Sequence, residues 1–200
     1  MSLKLHFEFW QVLATAVVIL CWFVFAGIFL LRKTPKAPPE QKRDSTSIVG
    51  LILQALSYAF VGLFHRVPFT PISSGSRAVA VSLSLGAMLA AVVSISIVKA
   101  ALDTLGKEWS VTARVVTGHK LATDGPYRFV RHPIYTGMLG MLLATGLVFS
   151  HWLSLTAAIV IYFIGTVIRI KSEERLLREA LGPEFDSYAR SAPALVPGLY

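Results

Sequence analysis

The chain has 200 residues, of which 54% are hydrophobic and only 15% are charged. Soluble globular domains carry about 25% charged residues, so this composition excludes an ordinary soluble protein, and its apolar content excludes a disordered one. The net charge of +8 indicates, in so apolar a chain, cytoplasmic loops near lipid headgroups rather than nucleic acid. The single cysteine, Cys21, allows neither a disulfide framework nor a cysteine-based zinc site. The sequence therefore predicts an integral membrane protein.

Three separate apolar segments in the first half of the chain predict membrane-spanning helices. A helix needs about 20 apolar residues to cross a bilayer core of about 30 Å. Residues 10–31 and 78–98 contain no charge and meet this length. Residues 48–64 are fewer and include Gln54, which a locally thinner bilayer accommodates. We expect residues 1–98 to form an N-terminal three-helix membrane region.

The fourth apolar region, residues 134–168, lacks charged residues and is interrupted only by Ser150 and His151. It can form one overlong helix or a hairpin of two short helices. With a hairpin, sixteen of the nineteen Lys and Arg residues fall on one side of the membrane. The positive-inside rule therefore favours the hairpin and five membrane-spanning helices, with the N-terminus outside and the C-terminus in the cytoplasm.

The proline-rich, basic segment of residues 33–47 follows the first predicted helix. Its composition is typical of a solvated cytoplasmic loop. Ser45 or Ser47 would provide the N-cap of the second helix.

The polar residues concentrate in the long segment before the hairpin. A loop of about 35 residues is usually functional or disordered, and its aromatic residues, glycines and histidines argue against disorder. Residues 124–126, Asp-Gly-Pro, predict a turn, and Pro133 predicts the first residue of the next helix. Arg131 and His132 would then lie at a helix N-terminus, where free backbone N–H groups could hold an anion such as a carboxylate. Alternatively, Arg131 and Arg128 are ordinary arginines of the membrane interface.

A charged segment continues the last predicted helix beyond residue 168. It contains three pairs of opposite charge four residues apart, namely Arg169 and Glu173, Glu174 and Arg178, and Arg175 and Glu179. Each such pair contributes only about 0.3 kcal/mol, so this segment can simply be a juxtamembrane helix that ends at Gly182 and Pro183. A hairpin, however, would place Arg169 and Glu173 opposite Arg131 and His132.

Several common types of site have no sequence signature here. The chain has no G-x-G-x-x-G motif after a strand, no P-loop, no H-E-x-x-H motif and no G-x-S-x-G motif. His119 and His132 lack the spacing of metal ligands. We therefore expect neither a Rossmann-type nucleotide site, nor a metal site, nor a nucleic-acid partner.

Two ordered motifs resemble the isoprenylcysteine carboxyl methyltransferase family and its relatives, which include the phospholipid N-methyltransferases. The first is GHKLATDGPYRFVRHPIYTGMLG, and the second, after the predicted hairpin, is RIKSEERLLREALGPEFDSY. The similarity extends from about residue 105 to the end of the chain. The matching positions are Gly125, Tyr127, Arg131, His132, Pro133, Tyr135, Gly137, Glu173, Glu174, Gly182 and Tyr188.

This resemblance implies an all-α, polytopic membrane bundle with a C-terminal helical hairpin and a cytosolic, non-Rossmann pocket for S-adenosylmethionine. Residues 99–200 would form the catalytic region. A lipophilic acceptor would reach it from the surrounding lipids, preferably a carboxylate such as that of a prenylcysteine. By the same resemblance, the catalytic residues are Arg169 and Glu173, and the cofactor-binding residues are His119, Tyr127, Arg131, His132, Pro133, Tyr135, Gly137 and Glu174.

Elementary chemistry agrees with these roles. Transfer of a methyl group from a sulfonium is an in-line displacement, which needs alignment and desolvation more than proton transfer. A carboxylate acceptor is already ionised, so Arg169 would only have to hold it. An amine acceptor would need to lose a proton, which Glu173 could assist. The division of roles between Glu173 and Glu174 stays open.

Three alternatives remain. The chain could be a phospholipid or amine N-methyltransferase, a non-catalytic cofactor-handling or assembly protein on the same scaffold, or a membrane reductase that binds a nicotinamide cofactor. A transporter is disfavoured, because His151 is the only ionisable residue within the four apolar regions.

Overall fold

The computed structural model describes residues 9–32, 39–72 and 76–195. Of the described residues, 74% are helical, which confirms a mainly helical fold. Within the described residues the helices are α1 (Phe9–Leu30), α2 (Thr46–Leu63), α3 (Arg77–Leu105), α4 (Pro133–Phe149), α5 (Trp152–Leu181) and α6 (Pro183–Ser191).

Four of these helices, α1, α2, α3 and α5, are long and apolar enough to cross a membrane. The predicted segments 10–31, 48–64 and 78–98 match α1, α2 and α3, although α3 continues to Leu105. Its extra turns bury Ala101 and Leu102 and carry an exposed ion pair between Lys99 Nζ and Asp103 Oδ2 at 2.6 Å. Helix α4 is apolar but has only 17 residues, so a fifth membrane-spanning helix stays a prediction.

The chain reverses direction at Ser150 and His151, which separate α4 from α5. Close to this turn, Gly146 of α4 faces Leu155 of α5 so closely that there is no room for a Cβ atom. The two helices therefore run antiparallel. The predicted hairpin is confirmed, and the alternative of one overlong helix is wrong.

Arg66, in the loop after α2, holds the closed end of this hairpin. Its guanidinium donates hydrogen bonds to the carbonyl oxygens of Leu147 (2.7 Å), Val148 (2.8 Å) and Ser150, and its backbone N–H donates to Phe149 at 2.9 Å. The last carbonyl groups of a helix have no partner within it, so Arg66 caps α4. Arg66 is 8% exposed, and burial lowers its pKa to about 10.

The helices pack in pairs around α4. Helix α2 lies along α5, while α3 lies along α4 and also contacts α1. The approach of α2 to α5 depends on Gly50 and Gly165, because a Cβ atom at Gly50 would collide with the carbonyl oxygen of Gly165 and with the side chain of Arg169. This contact fixes where Arg169 enters the bundle. The predicted boundary between the N-terminal membrane region and the catalytic region, at residue 98, lies within α3. This division into two regions stays a prediction.

The loops also form a two-stranded antiparallel sheet, which an all-α prediction did not include. Strand β1 (Glu40–Arg43) pairs with β2 (Arg114–Val116). Part of residues 33–47, predicted to be a solvated loop, is therefore tied to the segment before the hairpin. Residues 33–38 lie outside the described residues. Backbone pairing of this kind depends on a partner far away in the sequence, so local composition does not reveal it.

Asp44 anchors this sheet to α5. Its buried carboxylate accepts hydrogen bonds from Ser172 Oγ at 2.6 Å, from Arg175 and from the backbone N–H of Thr46 at 2.9 Å. The bond from Ser172 is the main cause of its lowered pKa, which burial partly opposes. Asp44 therefore satisfies the backbone N–H group of Thr46 at the start of α2. Ser45 makes no side-chain cap there, and Ser47 Oγ instead accepts a hydrogen bond from the N–H of Ala113 at 3.1 Å.

Replacing Arg66 should destabilise the closed end of the hairpin. In Arg66→Ala, the C-terminal carbonyl groups of α4 lose their donors, and each buried unsatisfied group costs about 1–3 kcal/mol. We expect a loss of about 3 kcal/mol, measured as a lower Tm by thermal unfolding in detergent. Arg77→Ala, at an exposed arginine, is the control and should unfold like the unmodified protein. Equal Tm values for the two variants would contradict the capping role.

Candidate active site

A cavity of about 420 Å³ lies where α1, α3 and α5 end and where α2 and α4 begin. Its volume falls within the range of about 300–1,000 Å³ that is typical of small-molecule sites. Seven of the ten predicted site residues line it, namely His119, Tyr127, Arg131, His132, Tyr135, Arg169 and Glu173. The hairpin thus brings the two motifs together around one cavity.

The other three predicted residues lie around the cavity rather than on its wall. Glu174 lies behind Arg131 and His132, and Pro133 is the buried first residue of α4. Gly137 faces α3, where a Cβ atom would collide with the side chain of Val98. A cofactor-binding role for these three stays a prediction.

An ion cluster joins the start of α4 to the end of α5. Arg131 Nε donates to Glu174 Oε1 at 2.8 Å, and His132 Nε2 lies 3.1 Å from the same oxygen. His132 Nδ1 lies 3.4 Å from Glu173 Oε2. Burial by itself lowers the pKa of His132, but the hydrogen bonds and charges of Glu173 and Glu174 outweigh burial and raise it. The imidazole between the two carboxylates therefore favours its protonated, positively charged form.

Arg169 is held in a fixed position at the inner side of this cluster. Its Nε donates to Tyr135 Oη at 2.8 Å, and its Nη2 donates to the carbonyl oxygen of Val111 at 2.6 Å. Tyr135 Oη in turn donates to Glu173. Arg169 is only 5% exposed and lines the cavity. Its Nη1 has no hydrogen-bond partner among the described residues, so that group can bind a ligand.

The C-terminal segment occupies the helix N-terminus that was predicted to bind an anion. The backbone N–H of Arg131 donates to Pro193 O at 2.8 Å, and that of His132 donates to Ala194 O at 3.0 Å. Thr136 Oγ1 donates to Leu195 O at 2.6 Å. The backbone N–H groups of Arg131 and His132 are therefore not free for an anion, because carbonyl groups of the chain's own tail satisfy them.

The paired charges of α5 form fewer local contacts than predicted. Arg169 Nη2 lies 3.7 Å from Glu173 Oε1, as the spacing predicted. The other two predicted pairs are replaced by contacts to other elements, in which Glu174 binds Arg131, Arg178 binds Asp186, Arg175 binds Asp44, and Glu179 binds Lys42. Arg131 is likewise no ordinary interface arginine, since it is half-buried and held in an ion pair with Glu174, whereas Arg128 is exposed.

A second polar group on the cavity wall joins the predicted His119 to Glu108 and Arg114, which were missed. Glu108 Oε2, Arg114 Nε and His119 Nδ1 are buried and have no hydrogen-bond partner in the described part of the chain. His119 Nδ1 lies 3.1 Å from Glu108 Oε2, but the two atoms are not aligned for a hydrogen bond. Burial, with help from Arg114 and against the charge of Glu108, lowers the pKa of His119, so its ring is neutral. In the sequence, Glu108 follows Lys107 in the LGKEWS segment (residues 105–110), and only its position shortly before the first motif could have pointed to it.

The apolar part of the wall was also missed. Phe25 and Phe29 come from α1, and Leu51 comes from α2. No pattern in the sequence distinguishes these residues from lipid-facing ones, because only packing decides which side of a uniformly apolar helix faces a cavity.

Stability should depend on pH through His132. Because its pKa in the folded protein is above the ordinary 6.5, the stabilisation by protonation is fully present below about pH 6.5 and is lost as pH rises through the raised value. We expect His132→Gln to lower Tm more at pH 6 than at pH 9, measured by thermal unfolding in detergent. His151→Gln, at the exposed hairpin turn, is the control. A His132→Gln effect of equal size at both pH values would refute the charged imidazole.

About half of the chain is similar in sequence to known proteins. The sequence model of the isoprenylcysteine carboxyl methyltransferase family matches residues 86–179. Protein-S-isoprenylcysteine O-methyltransferase B of Arabidopsis thaliana is 32% identical over 101 residues, which are 50% of this chain and 51% of that protein. A probable protein-S-isoprenylcysteine O-methyltransferase of Oryza sativa subsp. japonica is 33% identical over 101 residues, 50% of this chain and 53% of that protein.

A bacterial relative carries a different name. The cobalt-zinc-cadmium resistance protein CzcN of Cupriavidus metallidurans is 37% identical over 102 residues, 49% of this chain and 45% of that protein. Among the residues that the structure describes, no three His, Cys, Asp or Glu side chains form a group that could hold a metal ion.

The matched segment contains α4 and most of α3 and α5, with Arg131, His132, Arg169, Glu173 and Glu174. The chain spans about half the length of the curated relatives it matches. Across this segment, which builds much of the polar side of the cavity, the chain is similar to the isoprenylcysteine carboxyl methyltransferase family.

Proposed function

We propose that the protein is an S-adenosylmethionine-dependent methyltransferase that acts on the carboxylate of a lipophilic, membrane-embedded acceptor such as a prenylcysteine. The observation that carries this proposal is Arg169, a buried guanidinium on the wall of a largely apolar cavity, whose Nη1 has no hydrogen-bond partner among the described residues. The O-methyltransferase names of the plant relatives support the same reaction.

Arg169 would bind the acceptor carboxylate. A charge-assisted hydrogen bond is about twice as strong as a neutral one, and more so where water is excluded. Tyr135 and Val111 already fix two sides of the guanidinium, so binding would not have to immobilise a flexible side chain. A carboxylate is ionised at neutral pH, so the site needs no general base.

The polar side chains that line the cavity, which we call the polar wall, fit the cofactor. S-adenosylmethionine presents an ammonium, a carboxylate and ribose hydroxyl groups, and the unpaired acceptor of Glu108 and the unpaired donor of Arg114 complement them. Neutral His119 can donate or accept, and the aromatic ring of Tyr127 lies on the same wall. When bound, this cofactor supplies an electrophilic methyl group on a sulfonium. Glu173 would add negative charge beside it.

The state of Glu173 favours a carboxylate acceptor over an amine. An amine would have to give its proton to a base, and Glu173 is the carboxylate nearest to Arg169. Glu173, however, already accepts a hydrogen bond from Tyr135 and lies beside the protonated His132. Both contacts stabilise the ionised form and make it a poor proton acceptor.

The proposal includes the orientation in the membrane. We propose that α4 crosses as a fifth helix, sheltered between α3 and α5, with the N-terminus outside and the cavity facing the cytoplasm. The cavity lies at the helix ends that carry most of the basic residues, which supports this orientation.

Arg169→Ala should strongly reduce methyl transfer, because the acceptor carboxylate would lose the guanidinium that is proposed to bind it. We expect kcat/KM to fall at least 100-fold, about 2.7 kcal/mol, in a radiolabelled transfer assay with N-acetyl-S-farnesylcysteine and shorter S-alkyl analogues. Lys171→Ala, on the exposed side of the same helix, is the control and should retain activity.

Binding separates the alternatives. Isothermal titration with S-adenosylhomocysteine should show micromolar affinity for the unmodified protein. Binding without transfer to carboxylate, ethanolamine-lipid or thiol acceptors would indicate a non-catalytic protein. No binding, together with binding of a nicotinamide cofactor, would favour a reductase. Full activity of Arg169→Ala would refute the assigned role of Arg169.

Glu108→Gln should weaken cofactor binding, because the amide removes the negative charge and one acceptor from the polar wall. We expect the Kd for S-adenosylhomocysteine to rise about tenfold in the same titration, which corresponds to about 1.4 kcal/mol. Glu184→Gln, at an exposed residue of α6, should leave the Kd unchanged. An unchanged Kd in Glu108→Gln would show that this carboxylate does not contact the cofactor.

A further inference from the structure

The apolar end of the cavity is built mainly by helices that the family match does not include. Residues 86–179 contain the polar wall and Met138, whereas Phe25, Phe29 and Leu51 belong to α1 and α2. We call this end, lined by these three residues with Ile134 and Met138, the apolar arm. Its composition is therefore a property of this chain beyond the shared segment.

Three aromatic side chains lie behind the apolar arm without lining it. Trp22 contacts the ring of Phe25 edge to face, with centroids 5.5 Å apart. Tyr58 Oη donates to the carbonyl oxygen of Met138 at 2.5 Å. Tyr162 Oη donates to the carbonyl oxygen of Tyr135 at 2.7 Å. Each of the three thus touches a cavity-lining residue from its inner side.

The same three rings form a continuous layer across the bundle. The rings of Trp22 and Tyr58 meet edge to face at 5.4 Å, and those of Tyr58 and Tyr162 meet at 6.4 Å. Trp22 is fixed further by a hydrogen bond from Nε1 to Thr145 Oγ1 at 3.0 Å. Beyond the layer the bundle is solid, since Val61 and Leu142 are fully buried. The aromatic layer therefore closes the inner end of the apolar arm.

Helices α1 and α2 meet across α4 at this layer. Helix α1 packs on α3 and α4, whereas α2 packs on α5 and α4, so the two flank α4 from opposite sides. The ring contact of Trp22 and Tyr58 bridges the space between them. The lining residues Phe25, Phe29 and Leu51 lie on the cytoplasmic side of this bridge in the proposed orientation.

We infer that the apolar arm selects the acceptor by the length of its hydrocarbon chain, with the Trp22–Tyr58 pair as the stop. This inference rests on the proposed function, because the charge of Arg169 fixes the carboxylate end. On α2, Leu51 lies beside the Gly50 contact with Arg169, and Tyr58 of the stop follows seven residues later. At about 1.5 Å per residue this spacing is about 10 Å, roughly the length of an extended octyl chain. We expect each added methylene to increase the affinity of the acceptor up to this length, and further methylenes to add none.

Binding of N-acetyl-S-alkylcysteines from butyl to farnesyl, measured as Kd in nanodiscs, tests the inference separately from turnover. In the unmodified protein, Kd should fall up to about fourfold per buried methylene as far as octyl, and then stay level. Trp22→Ala removes the stop and should lower the Kd for decyl and farnesyl at least tenfold relative to octyl. A Kd that continues to fall through farnesyl in the unmodified protein would overturn the inference.

Substitutions at two neighbouring residues of α2 test the inference independently, in case Trp22→Ala disturbs the fold. Leu51→Trp fills the apolar arm and should raise the Kd for octyl at least tenfold while leaving butyl within about threefold. Ile52→Trp places the same ring on the exposed, lipid-facing side of α2 and should change neither. Equal effects at both positions would overturn the inference. If these binding patterns appear but no acceptor is methylated, the proposed function fails and the length selection stands.

Discussion

The ion cluster that ties the start of α4 to the end of α5 is the contact on which the site depends. Arg131 and His132 meet Glu173 and Glu174 within about hydrogen-bond distance, although some forty residues separate the pairs. Burying these charges costs free energy unless each one is paired, so the cluster tolerates no misplacement of either helix. The hairpin turn at His151 and the cap by Arg66 keep the helices in register at the opposite end.

The same cluster prepares Arg169 for a ligand. Tyr135 links it to Glu173, and the carbonyl group of Val111 accepts from Nη2, which leaves Nη1 without a hydrogen-bond partner among the described residues. Such preorganisation lowers the cost of ordering side chains when a ligand binds. Close packing of Gly50 against α5 places the backbone of Arg169, so a residue of α2 contributes to the geometry of a site whose polar residues lie elsewhere.

The cavity combines two surfaces with separate origins in the chain. The polar wall comes mainly from the segment shared with the methyltransferase family, and the apolar arm comes largely from α1 and α2. This division suits an enzyme in which one half holds a constant cofactor and the other adapts to the acceptor. The aromatic layer of Trp22, Tyr58 and Tyr162 marks where the adaptable half ends.

The sequence alone predicted the apolar helices from hydropathy and the hairpin from the distribution of basic residues, and the resemblance of its two motifs to a known family pointed to seven residues of the cavity wall. It did not reveal that Asp44 is buried against α5, that carbonyl groups of Pro193 and Ala194 occupy the N-terminus of α4, or that Glu108 faces the cavity. These features arise from contacts between distant segments. Phe25 and Leu51 show the same limit, since an apolar side chain in an apolar helix can face lipid or cavity, and only the packing of neighbouring helices decides between them.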